Sequence, residues 1–147
     1  MSIFDWLMRR NKGAATAGDL VIREDEDQLS GLSLREAIDS HMAWRGKLVK
    51  VLEGHGPDLE VHQVARDNLC VVGKWIYKEA KSQYLHLPEY EHLRKSHADF
   101  HLAAGNILIH YHQGDLPGAQ RLLKTEFRDL SDQIQLDLVR LFTAARH

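Results

Sequence analysis

From Ser33 onward, apolar residues return at steps of three and four, the period of a helix that buries one face. Leu34, Ala37, His41, Trp44, Leu48 and Leu52 form the first stripe. Ser33, three residues before Glu36, has the capping-box pattern at its start, and Gly54, Gly56 and Pro57 stop it. A second helix is predicted from about Leu59 to Gln83, its buried stripe marked by Val61, Val64, Ala65, Leu69, Val72, Ile76 and Ala80. Pro88 suits the first turn of a third, which carries Tyr90, Leu93, His97, Phe100, His101, Ala104, Ile107 and Leu108 and ends near Gly114. Asp115, ahead of Leu116 and Pro117, is an N-cap signal for a fourth, with Leu123, Phe127, Leu130, Ile134, Leu138 and Leu141 on its stripe. Four long helices with short turns predict an all-α fold, an antiparallel four-helix bundle.

The chain before this bundle has a different texture. Ile3, Phe4, Trp6, Leu7 and Met8 followed by Arg9, Arg10 and Lys12 make residues 1–12 a short amphipathic segment, and residues 13–31, rich in Gly, Ala, Thr and acidic side chains, read as a linker. The division is therefore 1–31 and a helical domain over 32–147. The aromatic and basic residues of 1–12 suit docking into a partner's groove, with weak attachment to an anionic membrane surface, or folding back onto helix four, as alternatives. Leu122, Leu136, Val139 and Phe142 make helix four apolar beyond what one core seam needs, which predicts a homodimer.

Composition narrows the function. The chain has 147 residues, 44% apolar and 27% charged, with a formal net charge of −2. That is one ordinary globular domain. Lys and Arg do not cluster as nucleic-acid binding requires. No apolar run reaches membrane-span length, the first residues lack the pattern of a secretory signal, and a single cysteine suits the cytoplasm.

Ten histidines change the picture, because of where some of them lie. His97 and His101 are four apart on one helix face, so both imidazoles reach one ion. His41 and Cys70 fall on the stripes of the first and second helices. One thiolate and three imidazoles from three helices make a tetrahedral set of the kind Zn²⁺ prefers. Asp67, one turn before Cys70, is a candidate acceptor for a ligand imidazole N–H. Gly73, one turn after it, removes a side chain where backbones approach. Trp44, Trp75 and Tyr77 are read as core packing, and His55, His62, His86, His92 and His147 as facing solvent or loops. His110 with Asp115 faintly suggests a hemerythrin-like di-iron bundle, but helices one and two lack its carboxylates, and a thiolate favours zinc. No carboxylate pair, phosphate loop or nucleophile motif points to an enzyme.

His41-x-x-Trp44, Asp67-x-x-Cys70-x-x-Gly73-Lys74-Trp75-Ile76-Tyr77 and His97-x-x-x-His101 together resemble the chemoreceptor zinc-binding (CZB) family over roughly Leu32 to Gly114. The resemblance implies a zinc site of three histidines and one cysteine, mapping onto His41, Cys70, His97 and His101. It also implies a regulator of chemotaxis receptors or diguanylate cyclases, with zinc supply or oxidation of the bound cysteine by hypochlorous acid as signal. No receptor or cyclase module follows within these residues, so the expected output is a signalling partner in trans. A structural or zinc-storage bundle is the alternative.

Overall fold

The computed structural model describes residues 2–146. Met1 and His147 lie outside it, and with them the solvent-facing reading of His147. The element order is α1 (Ile3–Asn11), α2 (Glu24–Asp27), β1 (Gln28–Leu29), β2 (Leu32–Ser33), α3 (Leu34–Leu52), α4 (Val61–Val64), α5 (Val71–Trp75), α6 (Lys81–Tyr84), α7 (Pro88–His112), α8 (Leu116–Lys124) and α9 (Glu126–Ala144). A 3-10 turn occupies Ala17–Asp19 and a π-turn Ile76–Ala80. The fold is an all-α bundle. Helix α7 is its axis, packed along α9 and α8 with α4 laid across it, while α3 closes on α9 and α8.

Local chemistry sets the helix ends. Ser33 caps α3 by accepting the Glu36 N–H at 3.2 Å, and Gly54 at φ +79° ends it, with the His55 N–H returning to the Lys50 carbonyl at 2.9 Å. Pro88 opens α7, and Gly114 at φ +80° closes it. Asp115 then caps α8 through the Gly118 N–H at 3.1 Å.

Three expectations are corrected. The second helix is not continuous: from Ala65 to Cys70 the chain runs as turns, and Cys70 restarts it as an N-cap at φ −80°, ψ 166°. Leu69, expected on the buried stripe, is 45% exposed as a result. The fourth helix is likewise two, broken at Thr125, where φ −116° and ψ −88° leave the helical region and the hydroxyl bonds the Arg121 carbonyl at 2.8 Å.

The third correction concerns the N-terminal segment. Ile3, Trp6 and Leu7 are buried, and α1 packs on α9. Trp6 is fully enclosed and donates its indole N–H to the Thr16 carbonyl at 2.9 Å. The presumed linker is folded too. Buried Glu26 accepts the backbone N–H groups of Ile3 and Arg23, and the β1–β2 hairpin turns tightly through Ser30 and Gly31, both at positive φ. Ile3, Trp6 and Leu7 are thus turned inward, while Phe4 and Met8 stay exposed. Of the residues that widen helix four, Val139 and Phe142 are buried within one chain, while Leu122 and Leu136 are half-buried. No helix among the described residues is long and apolar enough to cross a membrane.

Trp6→Ala removes a wholly buried indole, so it should cost about 3–5 kcal/mol. That corresponds to a melting temperature lower by roughly 10 °C for a chain of this size, measured by circular dichroism. An unchanged melt would mean that α1 does not belong to the core.

Candidate metal centre

Residues His97, His101 and Gly105 follow one another at steps of four on α7, so they share a face. That face looks at His41 of α3 and at Cys70. The ring centroids of His97 and His101 are 4.6 Å apart, and His41 lies 5.0 Å from the first and 6.0 Å from the second. Phe100, fully buried, backs the cluster at 5.3 Å from His41 and 5.6 Å from His101.

Cys70 reaches the cluster because the helix breaks before it. The Val64 carbonyl, which a continuous helix would give to the amide four residues on, instead accepts His101 Nδ1–H at 2.9 Å. Gly105 lets that segment come close, since a Cβ there would stand 2.9 Å from the Ala65 Cβ. A Cβ at Gly73 would overlap the Asp67 carbonyl, so this glycine does mark a close backbone approach. The Gly73 N–H donates to Cys70 Sγ at 3.3 Å.

The donors converge. Cys70 Sγ lies 3.3 Å from His97 Nε2 and 3.6 Å from His101 Nε2, and one donor atom from each of the four residues falls within 4.8 Å of the others. Zinc bonds of about 2.0–2.1 Å to nitrogen and about 2.3 Å to sulfur put the S···N edges of a tetrahedron at about 3.5 Å. The set fits. Tautomers support it as well. His41 Nδ1–H donates to the Ala37 carbonyl at 2.8 Å, and His101 does the same toward Val64. A carbonyl can only accept, so each ring keeps an Nε2 lone pair for the ion. His41 Nε2 is buried with no partner among the described residues, a cost that a metal bond would remove. His97 Nδ1 is buried without a partner too.

Burial makes these imidazoles neutral. It pushes His41 down to about 4 and His97 down to about 2, with neighbouring rings adding repulsion, and it lowers His101 against the opposing Val64 bond. Burial raises the Cys70 thiol, only partly offset by backbone N–H groups of Gly73 and Val72. The chain alone therefore favours a thiol, and a cation is needed to hold the thiolate. Three neutral nitrogens and one thiolate are a soft to borderline donor set, and four protein ligands are the closed pattern of a non-catalytic zinc.

Other predicted residues sit differently. Asp67 is not the acceptor for His41 or His101, whose N–H groups are taken by backbone carbonyls; with no helix over residues 65–70, its carboxylate turns to the Tyr77 hydroxyl instead. Tyr77 is accordingly not core but 37% exposed. Trp75 is buried and donates to the Ser30 carbonyl at 3.0 Å, while Trp44 is half-buried, 6.1 Å from the His101 ring. His110 pairs with Asp115 at 2.7 Å on the surface, and His55, His62, His86 and His92 are exposed. Among the described residues, His41, Cys70, His97 and His101 are the one group of metal-ligand side chains so gathered. The Ala37 and Val64 carbonyls, which no sequence pattern announces, complete it.

Acid should weaken the metal-free protein. Below the ordinary imidazole value of 6.5, the unfolded chain takes up protons that the buried rings refuse, so stability present above that pH is lost as pH falls toward the lowered folded values. Each ring contributes about 1.4 kcal/mol per pH unit in that range. Urea unfolding in chelator should give a stability about 2–5 kcal/mol lower at pH 5 than at pH 7; a flat profile would contradict the neutral cluster.

Comparison with known proteins agrees with this geometry. The family model described as chemoreceptor zinc-binding domain matches residues 41–108, an interval that contains all four donors. No curated protein and no solved structure matches the chain. Over residues 41–108 the chain is thus similar to the chemoreceptor zinc-binding domain family, a family of regulatory rather than catalytic zinc-binding modules.

Proposed function

We propose that the chain is a zinc-dependent regulatory module of the cytoplasm, reading zinc supply or an oxidant through Cys70 and acting on a chemotaxis or cyclic-di-GMP signalling partner. The observation that carries this is the unequal burial of the donors: the three histidines are enclosed, whereas Cys70 alone is partly exposed. Zinc, when bound at His41, Cys70, His97 and His101, supplies the positive charge that keeps the sulfur as thiolate. The chain's own atoms do the rest. Ala37 and Val64 hold two rings in the right tautomer, Phe100 excludes water behind them, and the Gly73 N–H aims at sulfur.

Thiolate is the form that oxidants attack. With hypochlorous acid the sulfur gives up two electrons, chlorine departs as chloride, and the hydroxyl oxygen with its proton ends on sulfur as sulfenic acid. That product is a poorer donor, so the Cys70 arm loses its hold on α7. A zinc staple without sensing is the competing reading.

Three measurements decide. Plasma emission should find one zinc per chain in the wild type and well under one in Cys70→Ala and in His97→Ala/His101→Ala; stoichiometric zinc in the double variant would sink the assignment. Chelation should lower the melting temperature by roughly 10 °C, since a ligand 1,000-fold above its Kd contributes about 4 kcal/mol. Finally, about one equivalent of hypochlorous acid should release the zinc while helical circular dichroism persists, and a thiol reductant should restore binding. Zinc lost only at unfolding doses would establish the staple.

A further inference from the structure

The three imidazoles of the centre are not held alike. His41 donates Nδ1–H to the Ala37 carbonyl one turn back on α3, and the Ser40 hydroxyl shares that carbonyl at 3.0 Å. His101 donates to the Val64 carbonyl, on the segment that leads to Cys70. Each of these rings is fixed about its own axis, with Nε2 left for the ion.

His97 follows a serine, as His41 does, but the outcome differs. The carbonyl one turn back on α7 is that of Leu93, and it accepts the buried Ser96 hydroxyl at 3.2 Å. The ring does not join it: His97 Nδ1 is buried with no partner among the described residues. The ring is wholly enclosed, 4.6 Å from His101 and 5.0 Å from His41, and its Nε2 meets Cys70 Sγ at 3.3 Å. Packing and that one contact hold it.

A ligand imidazole is oriented and made more basic when its other N–H has an acceptor, and loss of such a partner weakens metal binding about 10- to 100-fold. His97 lacks that support. Without metal, its unpaired nitrogen is a standing cost to the fold, whereas His41 and His101 each stabilise the chain by bonding a carbonyl.

We propose that His97 is the yielding ligand of the centre, the one that lets go first when zinc is withdrawn. The inference deepens the zinc reading above and rests on it for its meaning in signalling. It separates the two signals: scarcity of zinc acts first at α7, and oxidation acts at Cys70. The unequal anchoring is also a property of the metal-free chain, where it is measurable by itself.

The experiment replaces each ring in the full chain with leucine, which is of similar size and cannot ligate: His41→Leu, His97→Leu and His101→Leu. The metal-free proteins are melted at pH 8, above the ordinary imidazole value of 6.5, so that no ring gains a proton on unfolding. His97→Leu should melt above wild type and about 3–10 °C above either other variant, the worth of one buried unpaired polar group in a chain of this size. Zinc affinity is then measured by competition with a chromophoric chelator. His97→Leu should bind zinc about 10- to 100-fold more tightly than His41→Leu or His101→Leu. The three alanine variants, which ask for no extra room, repeat the zinc measurement and should keep the same order. A metal-free His97→Leu that melts at or below the other two would overturn the unequal anchoring, and the proposal with it. Equal zinc loss in all three, or the greatest loss at His97, would overturn the proposal whatever the melting order. A wild type that takes up no zinc would overturn the zinc reading and the ligand role together, while the melting order would still show whether His97 is the unanchored ring.

Discussion

The hydrogen bond from His101 Nδ1 to the carbonyl of Val64 has consequences in two directions. Toward the backbone, it removes the acceptor that the next turn of helix needs, so α4 ends and the chain wanders until Cys70. Toward the cluster, it fixes the ring with a lone pair facing the thiol. A continuous helix would satisfy its own carbonyls and leave His101 as another buried orphan, at a cost of about 1–3 kcal/mol. The helix break and the metal centre are therefore one event, and sulfur itself caps the helix that resumes.

Helix α7 belongs to the site and to the general core at once. Its one face carries the imidazoles; Phe100, between them, packs its ring 4.8 Å from Phe127 of α9. The family match stops at Leu108, so α8, α9 and α1 lie outside it, yet α8 and α9 pack against both α3 and α7, the helices that carry the three histidines.

Much of this was readable from residues whose effect is local. Ser33, Gly54, Pro88, Gly114 and Asp115 act within one turn, and the helices begin and end there. The donor set showed itself through helical spacing and one cysteine. What escaped depends on partners distant in sequence. Val64 is thirty-seven positions from the ring that takes its carbonyl, and Glu26 is twenty-three from the amide it caps. Asp67-Asn68 are turn-forming residues, but the apolar period around them outweighed that signal. Tyr77 reads as core because it is aromatic, whereas its hydroxyl is what the structure uses. Thr125 breaks the last helix between two good helix formers, with nothing in its neighbourhood to announce it.

The seating of α1 against α9 also has a meaning for synthesis. Asn11 meets Arg140 across 129 residues of chain. At about 5–20 residues per second, Trp6 and its neighbours leave the ribosome roughly 6 to 26 s before the surface that covers them. All four donors are on the chain well before α9. The nascent molecule thus passes through an interval in which its cysteine and histidines are ready to take metal while its indole still needs shelter, and whatever attends it then, chaperone or ion, meets a half-finished core.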